Sequence, residues 1–125
     1  DGILAVCLLL EIMCATGQDI AGLYEQLTAL YGKSYYTRVD TPALPEVKQK
    51  FTNLKAENFT ELKTFAGEKL LRIRDTDGIK FYLRDSWLLA RASGTENIVK
   101  LYAETLRSEE YLKTLIEEGK KVFGL

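Results

Sequence analysis

The spacing of apolar residues along the chain changes from a helical period to a period of two. Residues 2–15 are apolar on nearly every side, which predicts a helix that requires neighbours all around it, with Asp1 suited to cap its first turn. Apolar residues then recur at helical spacing from Ile20 to Tyr31, which predicts a second helix. We therefore expect residues 1–32 to be the last helices of one domain and residues 33–125 to form the next domain.

From residue 68 the chain instead alternates between apolar and polar, which is typical of strands that bury one face. The alternation marks segments at residues 68–74, 79–84 and 98–104, and the apolar run at residues 87–90 has the length of one further strand. The sequence DTDG, between the first and second segments, is a strong hairpin turn. The pattern predicts four consecutive strands in an antiparallel meander with one apolar face.

The remaining segments predict one more short strand and two amphipathic helices. The strand covers residues 34–40 and ends before a break at Thr41-Pro42, and a short helix covers residues 44–54. A final helix begins after Ser108, which suits an N-cap, and ends at Gly124. The predicted fold class is α+β, a four-stranded antiparallel sheet with helices on one face.

A polar loop separates the last two predicted strands and carries side chains that suit a phosphate. The guanidinium of Arg91 matches phosphate oxygens, and the hydroxyls of Ser93 and Thr95 can turn toward the same anion. Gly94 lets the backbone approach an anion closely with its N–H groups. The same residue types also form ordinary turns, so a plain hairpin loop is the alternative interpretation.

The literal sequence of this loop resembles that of a known family. Residues 91–96, RASGTE, closely resemble the R-P-S-G-T-E loop of the α-D-phosphohexomutases, the phosphoglucomutase/phosphomannomutase family, with Ala92 where proline is usual. Further similar residues lie at 1–5, 64–68, 77–81, 87 and 102–104. The resemblance implies that residues 33–125 are the C-terminal domain, described as TATA-box-binding-protein-like. It also implies that residues 1–32 are the C-terminal helices of the third mutase domain.

These enzymes move a phosphoryl group between the 1- and 6-positions of a hexose through a bisphosphorylated sugar. The resemblance implies that the loop binds the phosphate that is not reacting and closes over the cleft when substrate arrives. The contacts that it implies for the hexose phosphate are Arg91, Ser93, Gly94 and Thr95, with Lys100 and Asn97 as weaker candidates. Alternation along the last strand predicts that Lys100 lies on the sheet face opposite the helices.

The catalytic motifs of the family are not found in these 125 residues. There is no serine in a T-A-S-H-N-P-like setting and no D-G-D-x-D-R metal motif, and DTDG at 75–78 is interpreted as a turn. The resemblance implies that Mg²⁺, a phosphoserine and the remaining mutase domains belong to the full-length enzyme. We expect no catalytic residue, metal ligand or cofactor here, and no mutase activity from this fragment alone. The choice among glucose, mannose and glucosamine phosphates stays open.

Composition excludes several classes of function and location. The chain has no histidine, which excludes a Ser/His/Asp triad and a histidine base. A net charge of −1 argues against nucleic acid or an anionic membrane as partner. The apolar run at residues 3–10 is too short to span a bilayer. Cys7 and Cys14 lie about 10 Å apart along a helix, too far to pair, so we expect two buried thiols in a cytoplasmic protein.

Two alternatives to the mutase interpretation stay open. The sheet face without helices carries basic residues interleaved with aromatic ones, an arrangement that RNA-binding sheets use, and a non-enzymatic binding module for RNA or another phosphorylated ligand is therefore possible. The residues concerned are Arg72, Arg74, Lys80, Tyr82, Arg84, Lys100 and Tyr102. The apolar helix at residues 3–15 also predicts self-association of the fragment, or exposed apolar surface.

Overall fold

The computed structural model describes all 125 residues, which form two compact units. The first unit is Asp1–Lys33 and the second is Ser34–Leu125. The origin of residues 1–32 in a preceding mutase domain stays a prediction. Since the candidate site lies in the second unit, the first is described only briefly.

The first unit consists of two helices, α1 (Gly2–Thr16) and α2 (Ile20–Tyr31), with an angle of 87° between them. Asp1 caps α1, as predicted, because its Oδ1 accepts hydrogen bonds from the N–H groups of Ile3 and Leu4. No residue of either helix is buried. The prediction of two buried thiols is therefore wrong, since Cys7 and Cys14 are both free and exposed.

Neither helix of the first unit is long and apolar enough to cross a membrane by itself. The two helices meet the length and hydropathy criteria only when they are taken together across their bend.

The second unit combines seven strands with two α-helices and one 3₁₀ turn. In chain order, its elements are β1 (Tyr35–Pro42), α3 (Pro45–Asn53), the 3₁₀ turn (Ala56–Phe59), β2 (Thr64–Phe65), β3 (Glu68–Lys69), β4 (Arg72–Arg74), β5 (Ile79–Tyr82), β6 (Ser86–Ala92), β7 (Ile98–Thr105) and α4 (Glu109–Phe123). This is the α+β class that the pattern predicts.

The main sheet has five antiparallel strands in the order β1-β7-β6-β5-β4, so the prediction of four strands is wrong. The additional strand is β1, which pairs with β7 along its whole length, from Tyr35 opposite Thr105 to Pro42 opposite Ile98. β1 also continues through Pro42, where a break was predicted. An edge strand tolerates proline because one side of its hydrogen-bond ladder has no partner.

The segment at residues 68–74, predicted as one strand, is two strands in two different sheets. β3 pairs with β2 in a separate hairpin, whereas β4 pairs with β5 in the main sheet. The backbone changes partner between two adjacent residues: the N–H of Leu70 donates to Lys63 O, and the N–H of Leu71 donates to Tyr82 O. A continuous alternation in the sequence does not reveal this exchange of partners.

Both α-helices of the second unit pack on one face of the main sheet and enclose the core. Phe81 is fully buried at its centre, where its ring contacts those of Phe59, Phe65 and Phe123 at centroid distances of 5.1–5.5 Å. The strands contribute Ile79, Leu88, Val99 and Leu101, and α4 contributes Leu112, Leu115 and Ile116. The prediction of helices on one face is confirmed, and the likeness to TATA-box-binding protein stays a prediction.

Candidate functional site

The residues predicted to bind phosphate lie where β6 meets β7, at one end of the helix-free sheet face. The prediction places Arg91 in the loop, but β6 continues to Ala92. The backbone of Arg91 is therefore held by the antiparallel pairing of β6 with β7. Lys100 lies directly opposite Arg91 on β7. It alternates with the buried residues Val99 and Leu101, so it lies on the helix-free face, as predicted.

The ladder therefore places two cations side by side on one surface. The N–H of Ser93 donates to Ile98 O at 3.0 Å, which marks a hydrogen-bonded pair. Pairs of this class recur every two residues, so Arg91 and Lys100 form another, with Cα atoms about 5.5 Å apart. Like charges directly opposite each other destabilise a sheet. This cross-strand pair is suited to bind an anion.

Carboxylates on neighbouring segments partly neutralise these two cations. Asp77 Oδ1 lies 3.2 Å from Arg91 Nε, and Glu96 Oε2 lies 3.9 Å from Lys100 Nζ. Asp40 lies opposite Lys100 on β1. A side-chain hydrogen bond from Arg38 is the main cause that lowers the pKa of Asp40, and the positive charge of Lys100 lowers it further.

The loop between the two strands covers residues 93–97 and is tied to the domain at both ends. Ser93 is buried, and its hydroxyl accepts a hydrogen bond from the N–H of Glu96 at 3.3 Å. At the other end, the carbonyl of Asn97 accepts from the N–H of Ala43 at 2.9 Å. Between these anchors, Gly94, Thr95 and Glu96 are exposed. The Ser93 hydroxyl therefore shapes the loop, and its contact with phosphate stays a prediction.

Nothing within the chain requires glycine at position 94. No heavy atom lies within 4 Å of a Cβ built on Gly94, and its φ is not in the left-handed region. Gly78 differs on both counts, because its φ is 89° and a Cβ there would lie 2.4 Å from the carbonyl oxygen of Ala90. The space above Gly94 is open to an external group.

The turn at residues 75–78 joins β4 to β5, as predicted, and its two carboxylates have partners within the chain. Asp75 Oδ2 accepts from the N–H of Ala56 at 3.1 Å, and Asp77 pairs with Arg91. No group of three or more His, Cys, Asp or Glu side chains has a geometry that could hold a metal ion. The residues present therefore do not form a site for the Mg²⁺ that the resemblance implies for the full-length enzyme.

Comparison with known proteins identifies the family. A family model of the phosphoglucomutase/phosphomannomutase C-terminal domain matches residues 45–121. The chain belongs to this family. The match contains β6, β7 and the loop between them, so the candidate site lies within the matched domain.

Several curated mutases are similar to nearly the whole chain. A phosphoglucomutase of Komagataeibacter xylinus is 38% identical over 95% of this chain and 23% of its own length. A phosphoglucomutase/phosphomannomutase of Thermococcus kodakarensis is 30% identical over 98% of this chain and 24% of its own length. A phosphoglucosamine/phosphogalactosamine mutase of Sulfurisphaera tokodaii is 29% identical over 98% of this chain and 24% of its own length. The chain thus spans about a quarter of these relatives.

The fold is similar to that of a solved member of the family. A crystal structure of a Thermus thermophilus protein, assigned as a phosphomannomutase, aligns with a TM-score of 0.64 and 29% identity. The alignment covers all of this chain and 22% of that protein. Both comparisons therefore match the chain to one part of a longer mutase.

Sequence reasoning missed Asp77 as a member of the site. Asp77 is far from Arg91 in sequence, and its position depends on the approach of the 75–78 turn to β6. The Asp-Gly dipeptide was interpreted only as a hairpin signal. A glycine in a turn is also a position where two backbone segments can approach closely. Gly78 was therefore the signal in the sequence that could have indicated the proximity of this turn to another strand.

Proposed function

We propose that this chain is the phosphate-binding domain of a longer phosphohexomutase. The domain binds the non-reacting phosphate of a hexose phosphate during intramolecular phosphoryl transfer. The observation that carries this proposal is the cross-strand pair of Arg91 and Lys100, two cations held side by side beside an exposed loop. A phosphate between them would remove the repulsion that the ladder imposes.

Each residue of the site has a distinct task in this proposal. Arg91 makes the charged contact, Lys100 adds a second positive charge, and the N–H of Gly94 donates from the open side of the loop. The hydroxyl of Thr95, which is exposed, turns toward the same phosphate. Ser93 supports the loop and can donate its own proton, and Asn97 is a secondary contact.

Binding a distal phosphate is positioning chemistry. Energy from the non-reacting end of the substrate holds the reacting end in place, so its loss lowers turnover as well as affinity. The phosphoserine, the Mg²⁺ and the sugar-recognition loop would come from the other mutase domains, and we expect the full enzyme in the cytoplasm. This chain alone is then inactive, and conversion of glucose 1-phosphate to the 6-phosphate by the chain alone would contradict the proposal.

The sugar itself is not specified by this domain. The relatives that match nearly all of the chain have names that refer to glucose, mannose, glucosamine and galactosamine phosphates. What these substrates share is a phosphorylated hexose. A domain that contacts only the phosphate serves all of them, which is consistent with a site made of a guanidinium, an ammonium, hydroxyls and backbone N–H groups.

The test is a titration of the 125-residue chain with inorganic phosphate at fixed ionic strength, followed by amide NMR shifts. We expect saturable shifts at residues 91–97 and at Lys100. Arg91→Ala should weaken binding by about tenfold or more, because a charge-assisted hydrogen bond is lost. Arg72→Ala is the matched control, since it removes an exposed arginine from the same face at the far edge strand β4.

The same pair of variants distinguishes the mutase from the RNA-binding module. A sheet-face module would lose affinity equally with Arg72→Ala and Arg91→Ala, and would bind single-stranded RNA in a salt-sensitive manner. The structure weighs against base stacking, because cations of the face already cover its rings. Lys80 Nζ lies 3.8 Å from the centre of the Trp87 ring, and Arg72 lies 5.3 Å from that of Tyr82. Arg84, included in this face by the sequence, lies instead in the turn between β5 and β6.

A further inference from the structure

Asp77 reaches Arg91 from a turn that is pressed against β6. A Cβ on Gly78 would lie 2.4 Å from Ala90 O and 3.1 Å from Arg91 Cα, so only glycine permits this approach. The turn is also held by the 3₁₀ turn, because Asp75 accepts a hydrogen bond from the N–H of Ala56. The backbone of Asp77 is thus held in place by this turn. The backbone of Arg91, its partner, is held by the hydrogen bonds between β6 and β7.

The contact leaves the outer part of the guanidinium available. The ion pair joins Asp77 Oδ1 to Arg91 Nε at 3.2 Å, so the carboxylate lies nearest to the inner edge of the guanidinium. Arginine binds phosphate best through a pair of parallel N–H donors, so a guanidinium held at its inner edge can present its outer edge to an anion. About half of the Arg91 side chain is exposed.

Glu96 has the same charge but a different relationship to the site. Both carboxylates are largely exposed, 69% for Asp77 and 62% for Glu96, but Glu96 belongs to the exposed loop and lies 3.9 Å from Lys100 Nζ. A contact of that length on a loop imposes little orientation on Lys100. A bound phosphate would compete directly with this carboxylate for the ammonium.

We infer that Asp77 is a positioning residue that holds the Arg91 guanidinium toward the phosphate, whereas Glu96 is a counter-ion that the phosphate displaces. This inference rests on the proposed function. It predicts effects of opposite sign when the two carboxylates are neutralised. A carboxylate that acts only through its negative charge repels phosphate, so its removal strengthens binding, whereas loss of a positioning carboxylate weakens binding.

The experiment measures the dissociation constant for inorganic phosphate by amide NMR in four versions of the 125-residue chain. These are the wild type, Asp77→Asn, Asp77→Glu and Glu96→Gln. Asp77→Asn should raise the dissociation constant about three- to tenfold, because the freed guanidinium must be ordered on binding. Asp77→Glu retains the charge and should recover most of the affinity. Glu96→Gln should lower the dissociation constant about twofold.

A second measurement needs no ligand. The Nε–H group of Arg91 should show restricted motion by ¹⁵N relaxation in the wild type, and this restriction should be lost in Asp77→Asn and kept in Glu96→Gln. Unchanged amide shifts of buried residues such as Phe81 will show that Asp77→Asn preserves the fold.

The outcomes separate this inference from the proposed function. Tighter phosphate binding by Asp77→Asn, or a mobile Arg91 Nε–H group in the wild type, would overturn the positioning role. If the wild type binds no phosphate although its Nε–H group is rigid and depends on Asp77, the proposed function fails and the orientation of Arg91 by Asp77 stands.

Discussion

Gly119 of α4 lies directly against Leu88 of β6. A Cβ built on Gly119 would be 2.7 Å from Leu88 Cδ1, which is closer than non-bonded carbon atoms approach each other. Leu88 is fully buried in the core, so its side chain has little room to move away. The absence of a side chain at position 119 therefore lets the helix approach the sheet at the strand that carries Arg91.

Gly119→Ala should destabilise the domain despite a better helix propensity. Overpacking a core typically costs about 1–3 kcal/mol, and replacing a helical glycine by alanine returns about 1 kcal/mol. We expect a net loss of about 1 kcal/mol in the free energy of unfolding, measured with urea. In a Leu88→Ala background the clash is absent, and the same substitution should stabilise. An equal loss in both backgrounds would contradict this account.

Gly94 and Gly78 should respond differently to alanine. Gly94→Ala should change stability by no more than about 0.5 kcal/mol, because the position is open and its backbone is unstrained. It should nevertheless weaken phosphate binding, since a methyl group would stand where the anion approaches. Gly78→Ala should cost about 2 kcal/mol or more, from positive φ and contact with Ala90 O. Unaltered phosphate affinity in Gly94→Ala would argue against a backbone contact there.

The affinity for a phosphate monoester should rise between about pH 5 and pH 7. The chain has no histidine, so the group that titrates in this range is the ligand, whose second pKa is about 6. In the proposed site, the dianion would interact more strongly with Arg91 and Lys100 than the monoanion would. Titration with glucose 6-phosphate at several pH values tests this expectation. Sulfate, a dianion throughout, is the control, and an equal rise with sulfate would place the titrating group on the protein.

Asp40 should contribute to stability only above its folded pKa. The hydrogen bond from Arg38 Nε, at 2.7 Å, favours the carboxylate and lowers its pKa below the ordinary value of 3.8. As the pH falls, Asp40 is therefore protonated in the unfolded state before it is protonated in the folded state. Its contribution to the free energy of unfolding is complete above about pH 4 and is lost at more acidic pH. Asp40→Asn should flatten the acid limb of the stability curve. Carboxyl ¹³C titration should show that Arg38→Ala moves the pKa of Asp40 back toward its ordinary value, and an unchanged titration would contradict the pairing.

The first unit should cause the chain to associate. Large apolar side chains of α1, including Leu4 and Leu8, are about half exposed or more. Sedimentation of the wild type should give a concentration-dependent mass above 14.2 kDa, and replacing both leucines by lysine should shift it toward the monomer. Thr114→Lys on the exposed side of α4 is the control for added charge. A wild-type monomer that binds no hydrophobic dye would contradict this expectation.

Many elements could be predicted from local chemistry, whereas the pairing of segments distant in sequence could not. The starts of α1 and α4 follow from Asp1 and Ser108, whose side chains accept hydrogen bonds from nearby N–H groups. The DTDG turn follows from its residue types, and the face of Lys100 follows from the alternation along the last strand. By contrast, nothing local tells that β1 joins β7, or that the chain changes partner between Leu70 and Leu71.

The candidate site shows the same division. Arg91 and the loop were found because their residue types suit phosphate, and their roles stay predictions. Asp77 was missed because its proximity to Arg91 arises where two hairpins meet, through a backbone contact at Gly78 that no periodicity encodes.

The anchors at Ser93 and Asn97 limit how the site can respond to a ligand. Ser93 is held by Ile98 and Asn97 by Ala43, so any shift is confined to the three residues between them, of which Glu96 is itself bonded to the Ser93 hydroxyl. A segment of three residues can move by only a few ångströms, which is too little to enclose a sugar by itself. If the proposed site closes further over a hexose phosphate, the five-stranded sheet would have to move along as one body, with the hinge of that movement outside residues 93–97.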